Sequence, residues 1–125
     1  MNSTEIGAIG ESLVLEKYES DGYTLVARNF NYYQSEKIGE IDLILEKNRR
    51  LYLVEVKTRN NSTLRIILEQ ITRKKLSCIY TSFQGFVKKY PMYATYFVQL
   101  DVAAVVDDQI LIYPNCYSFE SLMQR

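Results

Sequence analysis

The chain has 125 residues, is 47% hydrophobic and 24% charged, and so has the balance of one water-soluble globular domain spanning residues 1–125. It contains no histidine, which excludes Ser-His-Asp and Cys-His triads, histidine-ligated zinc and histidine general bases together. Fifteen basic residues balance fifteen acidic ones, so bulk charge gives no nucleic-acid footprint and any such footprint must be local. Cys78 and Cys116 are too few and too far apart for a disulfide framework and read as ordinary buried thiols. No apolar window has the length of a membrane span and the N-terminus lacks a signal-peptide pattern, so the expectation is a cytoplasmic protein away from membranes.

In chain order, Ile6, Ile9, Leu13, Val14 and Tyr18 recur at helical spacing and predict an amphipathic helix over residues 5–19, with Asn2 or Ser3 as its N-cap. Residues 23–28 read as a short strand, 29–37 as a polar loop and 39–46 as an alternating strand. Residues 47–50 suggest a turn and 51–58 a further strand, after which periodicity is lost through residues 60–70. A second helix is expected from near Thr72 towards Tyr90, with Pro91 as its stop. Residues 93–106 and 110–113 read as strands, and both prolines are placed at element ends. Helix, three strands, helix, two strands suits an α/β fold, a mixed sheet flanked by helices.

If residues 47–50 form a hairpin loop, Glu46 pairs with Leu51, Asp42 falls opposite Glu55, and Glu40 falls opposite Lys57, all four on one face. Opposed carboxylates repel unless a proton, a cation or a metal offsets them. Mg²⁺ or Mn²⁺ fits, with Asp42, Glu55 and the Val56 carbonyl as ligands and Lys57 beside an attacking water. Glu11 lies beside the apolar stripe of the first helix, and glycines 7 and 10 would let that helix approach the sheet. Arg73, Lys74 and Lys75 open the second helix, where the macrodipole disfavours cations, so a phosphate partner would explain them. The bland readings are a solvated sheet edge for the acidic set and a solvated basic turn for the cations.

The strings GEIDLI (39–44) and LVEVKTR (53–59) resemble the YraN-type family of bacterial proteins, which are assigned as endonucleases within the PD-(D/E)XK superfamily. Supporting strings are IGAIGE (6–11), GYTLVARNF (22–30), TRKKL (72–76) and QLDVAAV (99–105). The resemblance implies a restriction-endonuclease-like core, similar to Holliday-junction resolvases and the tRNA-endonuclease-like fold. It implies Asp42 and Glu55 as metal ligands, Lys57 as catalytic lysine, Glu11 as a supporting catalytic acid and Glu40 as an auxiliary carboxylate. It further implies nucleic acid, DNA first, held by Arg59, Arg73, Lys74 and Lys75, and it allows a homodimer. After VEVKTR this chain has NNSTLRIILEQI where the family commonly has a Gly- and Pro-containing loop, which alters the segment on the substrate side. The expectation is metal-dependent hydrolysis of branched or otherwise structured DNA. Its rivals are a non-cutting nucleic-acid module that positions repair or recombination proteins, and a protein-interaction domain.

Overall fold

The computed structural model describes residues 1–118; residues 119–125, included in the single-domain reading, lie outside the described residues. Helix α1 (Ser3–Ser20) leads into β1 (Thr24–Gln34), β2 (Glu36–Lys47) and β3 (Arg50–Arg59). Helices α2 (Leu64–Glu69) and α3 (Arg73–Lys89) cross to β4 (Phe97–Val106), and β5 (Gln109–Ser118) completes the described chain. The five strands lie in sequence order, antiparallel throughout except for the parallel pair β3–β4. This mixed sheet flanked by helices is compatible with a restriction-endonuclease-like core.

Each face of the sheet has its own core. On one face Val14 and Tyr18 of α1 pack with Leu43, Leu45, Val54, Ala103 and Val105. On the other, Ile67 of α2 and Ile79, Phe83 and Phe86 of α3 pack with Ile41, Ile44, Leu53 and Val102. The N-cap of α1 is Asn2, whose side-chain oxygen accepts from the Glu5 amide at 2.9 Å. The buried line of α1 is Gly10, Val14 and Tyr18, whereas Ile6 and Ile9, expected in the stripe, are exposed. Gly10 explains the rotation: its Cα sits against the Thr58 side chain, and a Cβ there would collide with the Thr58 hydroxyl. A Cβ on Gly7 would meet nothing within 4 Å, so only one of the two glycines serves the approach.

Several boundaries differ from the expectations. The polar stretch 29–37 is strand on both sides of a bend at Ser35 rather than loop, because Phe30 packs edge-on to Phe86 and Tyr32 lies against Gly85 of α3, leaving Asn31 and Tyr33 to water. Residues 60–70, without visible periodicity, contain α2, capped by Thr63 and anchored by the buried Ile67. Of the strand expected over 93–106, residues 93–96 are not strand: residues 91–93 form a 3-10 turn and β4 begins at Phe97, since the Tyr93 ring packs against Phe86 and Tyr96. Pro114 falls inside β5, not at its end; β5 is an edge strand with an irregularity at Leu100–Val102, where a missing N–H is tolerated. Both cysteines are free and partly buried; burial first, then the Asp101 charge, pushes the Cys116 thiol up to about 12.

Candidate active site

The β2–β3 hairpin turns on Asn48 and Arg49 alone, both left-handed, so Lys47 pairs with Arg50 and the expected Glu46–Leu51 register is kept with a shorter loop. The ladder stops at Leu43–Val54. Asp42 therefore does not stand across from Glu55 as a ladder partner, nor Glu40 from Lys57. The physical reason lies in the side chain of Asp42: its Oδ2 accepts from the Val56 N–H at 2.8 Å, taking the place of a backbone rung. Beyond this point β2 stays with β1, where Glu40 pairs with Asn31 and Ile41 with Phe30, while β3 continues beside β4. Ile41 and Ile44, three apart, share one core while Leu43 enters the other, so the alternation of β2 breaks at Asp42.

That break leaves the Asp42 carboxylate between two strands. From one side α1 brings Glu11, and Glu11, Glu40 and Asp42 each place a carboxylate oxygen within 4.8 Å of the others. Arg28 of β1 holds Glu11 in position: its Nε lies 3.5 Å from Glu11 Oε1, and its Nη2 donates to the Ala8 carbonyl and the Ser12 hydroxyl. Asn29, left-handed in backbone, lies near enough to hold the Glu11 pKa down in part. From the other side α3 brings Lys75. Its Nζ and that of Lys57 each lie 3.4 Å from Glu55 Oε1, and Glu55 itself is only 3% exposed. The acidic set is thus split: Glu40 and Asp42 meet α1, whereas Glu55 turns to α3 and lies outside the three-carboxylate group.

Glu11, Asp42, Glu55, Val56, Lys57, Thr58 and Arg59 line one open cavity of about 460 Å³. Within it burial, and then the Glu55 charge, push the Asp42 carboxyl up to about 7; the Val56 hydrogen bond opposes the shift, and Glu11 and Glu40 add to it. Burial also raises Glu11, only partly offset by Asn29 and Arg28. Glu40 takes no part in the lining and is paired with Lys37 at 3.2 Å. Val56 meets Asp42 through its N–H.

The remaining candidates separate by position. Arg59 sits at the cavity wall and donates to Gln70 Oε1 at 3.0 Å. Arg73 and Lys74 are exposed on the first turn of α3 and form no ion pair among the described residues, whereas Lys75 turns inward to Glu55. Sequence reasoning named Lys75 only as a nucleic-acid contact and missed its inward turn to Glu55, and it missed the Arg28 support of Glu11. Their only sequence signal was position: one in the basic opening of the second helix, the other at the end of the first strand.

With this geometry in view, residues 10–105 match the family model described as "Uncharacterised protein family UPF0102". The chain belongs to that family. A UPF0102 protein of Aliarcobacter butzleri (strain RM4018) is 34% identical over 113 residues, covering 90% of this chain and 96% of the relative. One of Clostridium botulinum (strain Loch Maree / Type A3) is 30% identical over 102 residues, covering 82% and 80%. The UPF0102 match spans every site residue from Glu11 to Lys75. Among the described residues of this UPF0102 chain, no helix is long and apolar enough to cross a membrane.

Proposed function

We propose that the chain is a nuclease of the PD-(D/E)XK kind, hydrolysing phosphodiester bonds of structured DNA with Mg²⁺ or Mn²⁺. The observation that carries the reading is the carboxylate of Asp42, held between two parting strands by the Val56 N–H, with Glu11 and Glu40 within 4.8 Å and Lys57 on the same cavity wall. The residues fit a hard divalent cation. All the donors are carboxylate oxygens, and two oxygens at opposite corners of a Mg²⁺ octahedron stand about 4.2 Å apart, since each bond is about 2.1 Å. Three oxygens within 4.8 Å of one another are close to that scale. Asp42, Glu11 and Glu40 would hold the ion.

When bound, such an ion supplies charge for the phosphate oxygens and a more acidic water. The protein does the rest. Asp42 and Glu55 are close enough to repel, which favours cation uptake over an empty pair of charges. Lys57 extends from the same strand as Glu55 on the cavity wall and would offer its ammonium to negative charge developing on a phosphate. Lys75 keeps Glu55 oriented, and Arg59, Arg73 and Lys74 offer the phosphate backbone a basic margin on the α3 side.

The test is cleavage of labelled single-stranded, duplex, flap and four-way-junction DNA, plus RNA, with Mg²⁺, Mn²⁺ or EDTA, for wild type and Asp42→Asn. Metal-dependent cutting is expected and should fall by at least about a hundredfold in the variant, the usual scale for losing a principal charge-stabilising group. Binding without cutting across the panel would sink the nuclease and leave the non-cutting module. The pairing of Glu55 with two lysines favours that second reading, because it neutralises one carboxylate without any metal.

A further inference from the structure

We infer that the end of the sheet farthest from the acidic cavity is a separate nucleic-acid contact, suited to a single-stranded stretch. There the Arg49 guanidinium lies 4.9 Å from the Tyr96 ring centre, that of Arg50 5.3 Å from Phe97, and the Lys89 ammonium 5.6 Å from Tyr90. Arg49 and Arg50 are adjacent in sequence, as are Tyr96 and Phe97, so the first two pairs lie together at the start of the β3–β4 ladder, where Arg50 and Phe97 are register partners, and Tyr93 stands 5.1 Å from Tyr96. Phe97 is 67% exposed and Tyr90 39%.

In a chain with no net charge this clustering is local and specific. None of Arg49, Arg50 and Lys89 forms an ion pair among the described residues. A cation standing over an exposed ring meets the two parts of an unpaired nucleotide, phosphate and base face. A duplex hides its base faces, and an acidic peptide would use the cations and leave the rings idle. The seven steps along β3 from Arg50 to Lys57 put roughly 23 Å, at about 3.3 Å each, between this end and the cavity. The inference takes nucleic acid as partner from the nuclease reading but does not need cleavage.

The experiment is anisotropy of labelled oligothymidylate, a duplex of equal length and polyglutamate with the Asp42→Asn protein in EDTA, over a range of salt. Oligothymidylate is expected to bind more tightly than either competitor. Phe97→Ala should weaken it about tenfold and Phe97→Tyr should restore it, as base stacking on an aromatic ring requires. Arg49→Ala with Arg50→Ala should reduce the slope of log affinity against log salt by about 1.4, from about 0.7 per cation on a single strand. Unchanged binding in these variants, equal binding of polyglutamate, or no binding of oligothymidylate would each overturn the inference. Cutting is absent throughout, so the nuclease reading is judged separately on its own panel.

Discussion

Asp42 carries two roles that its charge sets against each other. As an acceptor for the Val56 N–H it completes the sheet; as an ion close to Glu55 it weakens the metal-free fold. Its pKa is raised from 3.8 to about 7, so the folded carboxyl keeps its proton well above the ordinary range. The cost of ionising it therefore sets in as pH rises past 3.8 and is complete above about 7. Asp42→Asn keeps an acceptor oxygen and removes the charge. Without metal, urea denaturation should find the variant more stable than wild type at high pH by on the order of 4 kcal/mol, at about 1.4 kcal/mol per pH unit, with the gap nearly closed in acid. Calorimetry should show the mirror image for Mn²⁺. Wild-type affinity should fall about tenfold per unit of pH below about 7 and level off above it, while the variant binds weakly at every pH. Equal pH profiles for the two proteins would show that Asp42 is not the titrating ligand.

At the scale of elements, the approach of α1 to β3 decides whether Glu11 reaches the site. Gly10→Ala drives a methyl group into Thr58 and should cost about 1–3 kcal/mol, as overpacking does. Gly7→Ala, with open space at its Cβ, should instead stabilise by about 0.5–1 kcal/mol through helix propensity. Thr58→Ala should rescue the first variant, and thermal unfolding of the set separates close packing from a general intolerance of alanine. The same elements show what the sequence made legible. Hairpin register followed from strand alternation, and α3 from its apolar stripe between Thr72 and Pro91. The outer half of β1 did not, because its strand is held by Phe86 and Gly85, which are distant in sequence. The six residues of α2 were too few to display a helical period. The candidate carboxylates were legible as a set through GEID and EVK, but their division between two faces was not. That division comes from a side chain replacing a backbone rung, and no alternation pattern encodes it.

Across the whole molecule, α1 is tied to the far half of the sheet by Asp101. This carboxylate is 2% exposed and accepts from the Tyr18 hydroxyl at 2.7 Å, the Gln99 amide at 2.8 Å and the Asn115 N–H at 2.8 Å, so one residue joins α1, β4 and β5. Tyr18→Phe removes one of these donors from a buried acceptor and should lower stability by about 1–3 kcal/mol in denaturant titrations. Because Tyr18 lies on the same helix as Glu11, that loss should loosen the carboxylate group as well. An undiminished midpoint would show that the other two donors suffice.

The interruption of the β2–β3 ladder also has a spectroscopic side. The Val56 amide proton points at a carboxylate, not at a strand carbonyl, so its magnetic environment follows the charge on Asp42 and anything that binds there. In an isotope-labelled sample this single backbone resonance is a built-in indicator of proton or cation occupancy, readable without a substrate and without altering any side chain.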